Sequence, residues 1–197
     1  MKNSQVTTRN GDSGTTRTLA GDVLAKSHAV LECTGWVDSL RAQTAYIRLL
    51  ILEKKSRDHA EVADFLLWLL HVYFLMGSAV NDPLNKHPEY RKGEIGPEHL
   101  ERLEAEQRRL EKLIRLPKSF IVSASNLVSA QTDVTATVAR TLERNLVRLQ
   151  EAIPGFEAAA MLSFCNRLSD YLYILARYLE EGHHLVVDYD IVTEPGK

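Results

Sequence analysis

Residues 134–153 read "VTATVARTLERNLVRLQEAI". Val134, Val138, Leu142, Leu146, Leu149 and Ile153 recur at steps of three and four, the period of one face of an α-helix. Pro154-Gly155 breaks the pattern. The stretch therefore predicts a long helix over about 121–152. A partner follows over about 156–181, with Met161, Cys165, Leu168, Leu172, Leu175 and Leu179 on one stripe and Gly182 placed to stop it. Upstream, the periodicity predicts helices from Ser27 to Lys54, from about Asp58 (a candidate N-cap) to about Val80, and from Pro97 to before Pro117. The second of these ends at Asn81-Asp82-Pro83, and residues 82–96 read as a loop. In the third, Leu100, Leu103, Leu110, Leu113 and Ile114 form the apolar face. Nothing reads as a sheet, although "HLVVDYDIV" at 184–192 has a β-like composition. The expectation is an all-α, five-helix up-and-down bundle.

Composition narrows the function classes. The 197 residues suggest one domain, and 45% hydrophobic and 25% charged residues are ordinary for a soluble protein. A net charge of −2 gives no broad basic field, so nucleic acid is not an expected partner. No apolar leader is evident at the amino terminus. The longest apolar run, Phe65–Met76, is short for a bilayer span and reads as a buried core helix, with His71 as a satisfied core histidine. Cys33 and Cys165 lack metal or redox spacing and read as free thiols in a reducing compartment, the cytoplasm. His183-His184 reads as a solvated turn rather than a metal pair.

Two polar stripes run along the last two helices. Arg140, Glu143 and Arg144 stand at i, i+3 and i+4, in line with Asp133 and Ala136. Asn166, Asp170, Tyr173 and Arg177 do the same on the next helix. Solvated faces are the usual meaning of such stripes. Helices this apolar are covered on more than one side, however, and Arg and Asn on a covered side need partners, such as a second subunit or an anionic ligand. At the amino terminus, Gly11-Asp12-Ser13-Gly14-Thr15-Thr16 has the composition of a disordered tail, or of a loop that is ordered by a ligand.

The order of these motifs resembles one family. "NGDSGTT" (10–16), Lys26, Gly-Trp-Val-Asp in the first helix, Lys-Ser-Phe-Ile-Val before the fourth, "RTLER" (140–144) and "NRLSDYLYILARY" (166–178) are similar to the PduO-type ATP:cob(I)alamin adenosyltransferases over about residues 7–180. The resemblance implies a ferritin-like trimer of five-helix bundles with ATP and cobalamin held between subunits. The implied reaction moves the 5′-deoxyadenosyl group of ATP to Co(I) and releases triphosphate. Thr8, Gly11, Asp12, Gly14, Thr15, Thr16, Lys26, Arg140, Glu143, Arg144 and Asn166 match the nucleotide contacts, with Glu143 towards Mg²⁺. Phe120 matches the aromatic residue beneath the corrin, and Arg140, Asn166 and Phe120 are the implied catalytic set. Residues 1–25 would be a flexible nucleotide-binding segment, 26–185 the bundle and 186–197 a tail. A corrinoid reductase or an adenosylcobalamin-dependent enzyme is the implied partner.

Several positions depart from the family pattern. Ser123-Ala124-Ser125 stands for Pro-Gly-Gly. Ala136 and Thr141 stand for arginines, and the first-helix motif reads Val37-Asp38-Ser39-Leu40-Arg41. The arginine replaced by Ala136 is the intersubunit partner of Asp38, so Asp38 needs another cation, for which Arg41 is the local candidate. The alternatives to an active enzyme are a non-catalytic homologue that binds ATP or corrinoid as carrier, chaperone or sensor, and a helical protein that serves an assembly.

Overall fold

The structure is a computed structural model that describes residues 9, 11–53 and 59–193. Five long helices dominate: α1 Ala29–Glu53, α2 Ala60–Asn81, α3 Pro97–Glu111, α4 Leu127–Ala152 and α5 Ala159–Leu179. A short α6, Asp190–Thr193, follows them. α1 packs on α2 and α4, and α5 packs on α4 and α3. The ends of neighbouring helices are tied by side chains. Asn126 caps α4 by accepting from the Ser129 N–H at 2.9 Å, and its Nδ2 donates to the Leu179 carbonyl at the end of α5 at 2.8 Å. Asn81 at the end of α2 donates to Thr34 near the start of α1, so the two helices run antiparallel.

The expected stripes form one core, which includes Val30, Val37, Leu40, Ile47, Leu69, Leu103, Leu142, Leu146, Leu149, Leu168, Leu172 and Leu179. Val134 and Leu113 depart from expectation, being 48% and 60% exposed. Leu113 falls in the turn after α3 ends at Glu111, whereas Val134 stands on the exposed side of α4. His71 is corrected as well: it is exposed, with Nδ1 near the Leu67 carbonyl of its own helix. α2 as a whole is long and apolar enough to cross a membrane by length and composition, yet half of its apolar window is buried in the bundle. Asp58, the expected N-cap, lies outside the described residues, and α2 begins after His59.

Two short antiparallel strand pairs form although nothing in the sequence reads as a sheet, and one strand, β4, falls in the β-like stretch 184–192. β1 (Thr15–Arg17) pairs antiparallel with β2 (Val23–Ala25), and β3 (Ile121–Val122) pairs antiparallel with β4 (Leu185–Val186). The fourth helix therefore starts at Leu127, not near 121. Strands of two or three residues show no alternation, so pairing, not pattern, defines them. The first hairpin turns at Gly21, whose φ of +80° few side chains adopt. Lys86 fixes it to the bundle through an ion pair with Asp22 at 2.7 Å.

Candidate functional site

The amino-terminal motif is a turn followed by a strand. Gly14 donates to the Gly11 carbonyl at 3.2 Å, and its own carbonyl accepts from the Lys26 N–H at 2.9 Å. Lys26 folds back over this loop: a Cβ on Gly11 would lie 3.0 Å from Lys26 Nζ. Thr15 and Thr16 open β1, with Ser13 and Thr15 hydroxyls 3.2 Å apart. Backbone N–H groups, hydroxyls and one ammonium thus share a small exposed surface, the donor set that phosphate oxygens need. Asp12 is exposed on the same turn. Thr8 lies outside the described residues.

A second group forms where α4 crosses α5. Asn166 Nδ2 donates to Glu143 Oε1 at 3.3 Å, while Arg167 donates to Asn166 Oδ1 at 2.7 Å and to Glu104 of α3 at 3.2 Å. The Asn166 amide is therefore oriented from both ends. Arg167 and Glu104 were not foreseen, because a contact between α3 and α5 leaves no mark in spacing along either. Arg140, one turn before Glu143, is exposed and has no ion pair among the described residues. Arg144 donates to Thr141, the residue standing where the family pattern has arginine, at 2.9 Å. Among the described residues, no three His, Cys, Asp or Glu side chains gather to hold a metal. Glu143 is a lone carboxylate, which fits an Mg²⁺ ion carried mainly by substrate phosphates. No hydrogen bond or ion pair among the described residues joins this group to the Gly11–Thr16 loop of the same chain.

Phe120 forms a third group. It is 77% exposed, its carbonyl accepts from the Val187 N–H at 2.8 Å, and it shares an exposed apolar surface with Val122, Leu185 and Val186. Ala124, where the family pattern has glycine, holds a φ of +67°. The left-handed turn is kept without the residue that adopts it freely.

The interface positions are also answered. Arg41 pairs with Asp38 at 2.8 Å and lies over the Phe74 ring at 4.7 Å, on an exposed face of α1 and α2. Ala136 is almost fully buried in the core. Neither cysteine is available as a nucleophile. Burial, with Glu32 nearby, pushes the Cys33 thiol up to about 12, and burial pushes Cys165 higher.

Comparison with known proteins agrees with this geometry. Residues 6–179 match the cobalamin adenosyltransferase family. The corrinoid adenosyltransferase of Mycobacterium leprae is 28% identical, over 98% of this chain and 97% of its own length. A corrinoid adenosyltransferase of Citrobacter freundii is 30% identical, over 89% and 95%. A variant of the PduO-type ATP:corrinoid adenosyltransferase from Lactobacillus reuteri, solved with cobalamin and ATP, superposes with a TM-score of 0.80 at 24% identity. The match covers 91% of this chain and 97% of that one, and it shows the shared fold. With its five-helix bundle and its motifs in family order from residue 6 to residue 179, the chain belongs to the cobalamin adenosyltransferase family.

Proposed function

We propose that this protein transfers the 5′-deoxyadenosyl group of ATP to Co(I) of cobalamin. The cobalt forms a bond to C5′, the C5′–O bond breaks, and triphosphate leaves with that electron pair while cobalt goes from Co(I) to Co(III). The nucleophile belongs to the substrate, so two inert cysteines are no obstacle. The protein's task is to hold a polyanionic leaving group and to exclude water. The observation that carries the reading is the meeting of Glu143 and Asn166 beside Arg140, which has no ion pair among the described residues, inside a family match that spans nearly the whole chain. In this reading Arg140, Lys26 and the Gly11–Thr16 loop take the phosphates, with Asp12, Thr15, Thr16 and Arg144 around them. Thr8 joins this nucleotide set on motif position alone. Asn166 and Glu143 orient the nucleotide. An Mg²⁺ ion held by Glu143 and the triphosphate would offset charge on the departing group. Phe120 covers one face of the corrin.

We infer further that the working unit is a homotrimer. From the start of α4 to Arg140 is about 20 Å at 1.5 Å per residue, so Phe120 and Arg140 of one chain stand far apart along the bundle. A site that brings corrin and triphosphate together draws on two chains. The exposed apolar face carrying Tyr46, Leu49 and Phe74 offers a surface for that contact. A reductase that supplies Co(I), or an enzyme that takes adenosylcobalamin, is the expected partner in a reducing cytoplasm.

An anaerobic assay with ATP, cobalamin and a strong chemical reductant tests the reaction. Adenosylcobalamin is expected to form faster than without protein, and a rate equal to that blank refutes the enzyme. Binding of both substrates without turnover would instead mark a carrier, chaperone or sensor, the reading that the Ser123-Ala124-Ser125 and Ala136 departures favour.

A further inference from the structure

The densest buried cluster of ionisable side chains lies outside these three groups, where α4 begins and α5 ends. Arg177 and Glu180 are each 1% exposed. Arg177 pairs with Asp133 of α4 at 2.7 Å and with Glu180 Oε1 at 3.0 Å. The other oxygen of Glu180 meets His184 Nδ1 at 2.6 Å. An uncompensated buried charge is costly, and here each carboxylate meets a nitrogen: Asp133 meets Arg177, and Glu180 meets both Arg177 and His184. Burial holds the Asp133 carboxyl above its usual range despite its bond to Arg177. The other charged or titratable groups around His184 are His59, Arg115, Tyr178 and Glu181, which line a cleft with it, and Tyr173, whose ring lies 5.1 Å from Arg177. His59 and Glu181 approach each other to 4.0 Å. Among the described residues His184 Nε2 has no hydrogen-bond partner, and this polar cleft of about 620 Å³ is wide enough for water to serve it.

His184 immediately precedes β4, whose pairing with β3 and whose Val187 N–H hold the Phe120 segment. We propose that His184 is a positioning residue: clamped on Glu180 it fixes β4, and through β4 it fixes the exposed apolar segment at Phe120–Val122. The consequence for cobalamin rests on the reading of Phe120 given above, whereas the clamp itself does not.

Amide hydrogen exchange and calorimetry on the full chain test the two parts separately. The protection factor of the Val187 amide is expected to fall about tenfold in His184→Ala, which removes the bond to Glu180, and to recover in His184→Asn, which keeps a donor near Nδ1. Hydroxocobalamin is expected to bind His184→Ala about tenfold more weakly than wild type, with ATP affinity unchanged. Unchanged Val187 protection in His184→Ala overturns the clamp. Equal losses of ATP and cobalamin affinity also overturn it, because they mark a general loosening. If wild type binds no cobalamin, the reading of Phe120 fails, and the Val187 amide still decides the clamp.

Discussion

Arg140 shows what a polar stripe can and cannot reveal. Its spacing to Glu143 left a solvated face, a subunit contact or an anionic ligand open, the resemblance matched it to a nucleotide contact, and the structure leaves its guanidinium exposed and without an ion pair among the described residues. A charge-assisted hydrogen bond to phosphate contributes about 1.5–3 kcal/mol. Arg140→Ala is therefore expected to weaken ATP binding about ten- to hundredfold by calorimetry while leaving the melting temperature unchanged. Unaltered affinity would remove Arg140 from the nucleotide set. Ala124 makes the complementary point. The loss of glycine suggested a changed loop, yet the backbone keeps a left-handed φ of +67°. Ala124→Gly is expected to stabilise the fold by about 1 kcal/mol in denaturant unfolding. A destabilised variant would show that the turn is held differently. The residues that orient others, Arg167 on Asn166 and Glu180 on His184, were not legible in the sequence. Their meaning depends on contacts between elements and on burial, which periodicity does not encode.

At the scale of elements, the five helices were legible because each carries an apolar stripe over four or more turns. Their ends were less so. The fourth helix begins six residues later than its composition suggests, since Ile121 and Val122 pair with β4. Neither strand pair was read as a sheet: strands of two or three residues show no alternation, and β3 and β4 are separated in sequence by α4 and α5. The true start of α4 is set by Asn126, which caps the helix and bonds to the last turn of α5. Asn126→Ala is expected to cost about 1 kcal/mol for the cap alone, and more with the Leu179 carbonyl left without its donor. Asn126→Asp keeps the cap acceptor but not the Nδ2 donor, so it is expected to recover only part of that loss. Full recovery by aspartate would mean that the tie to α5 contributes nothing.

At the scale of the whole molecule, the sequence suggested a subunit contact that one chain cannot display. The face proposed for that contact is the exposed one on α1 and α2 where Arg41 pairs with Asp38 and covers Phe74. Light scattering at micromolar concentration is expected to give three times the 22.2 kDa chain mass. A monomeric mass would leave the nucleotide and corrin groups unconnected. Phe74→Lys should shift the assembly toward monomer and reduce turnover more than it reduces the ATP affinity of each chain.

The pairing of β3 with β4 also sets an order of events. β4 lies at residues 185–186, after every long helix. The segment that carries Phe120 leaves the ribosome well before its partner strand exists, and α4 and α5 must close before the two can meet. Contacts between such distant parts of a chain form late, since their loop entropy is lost before they return anything. The apolar surface around Phe120 is therefore completed last in synthesis, and a chain cut short before residue 185 would fold its helices without it.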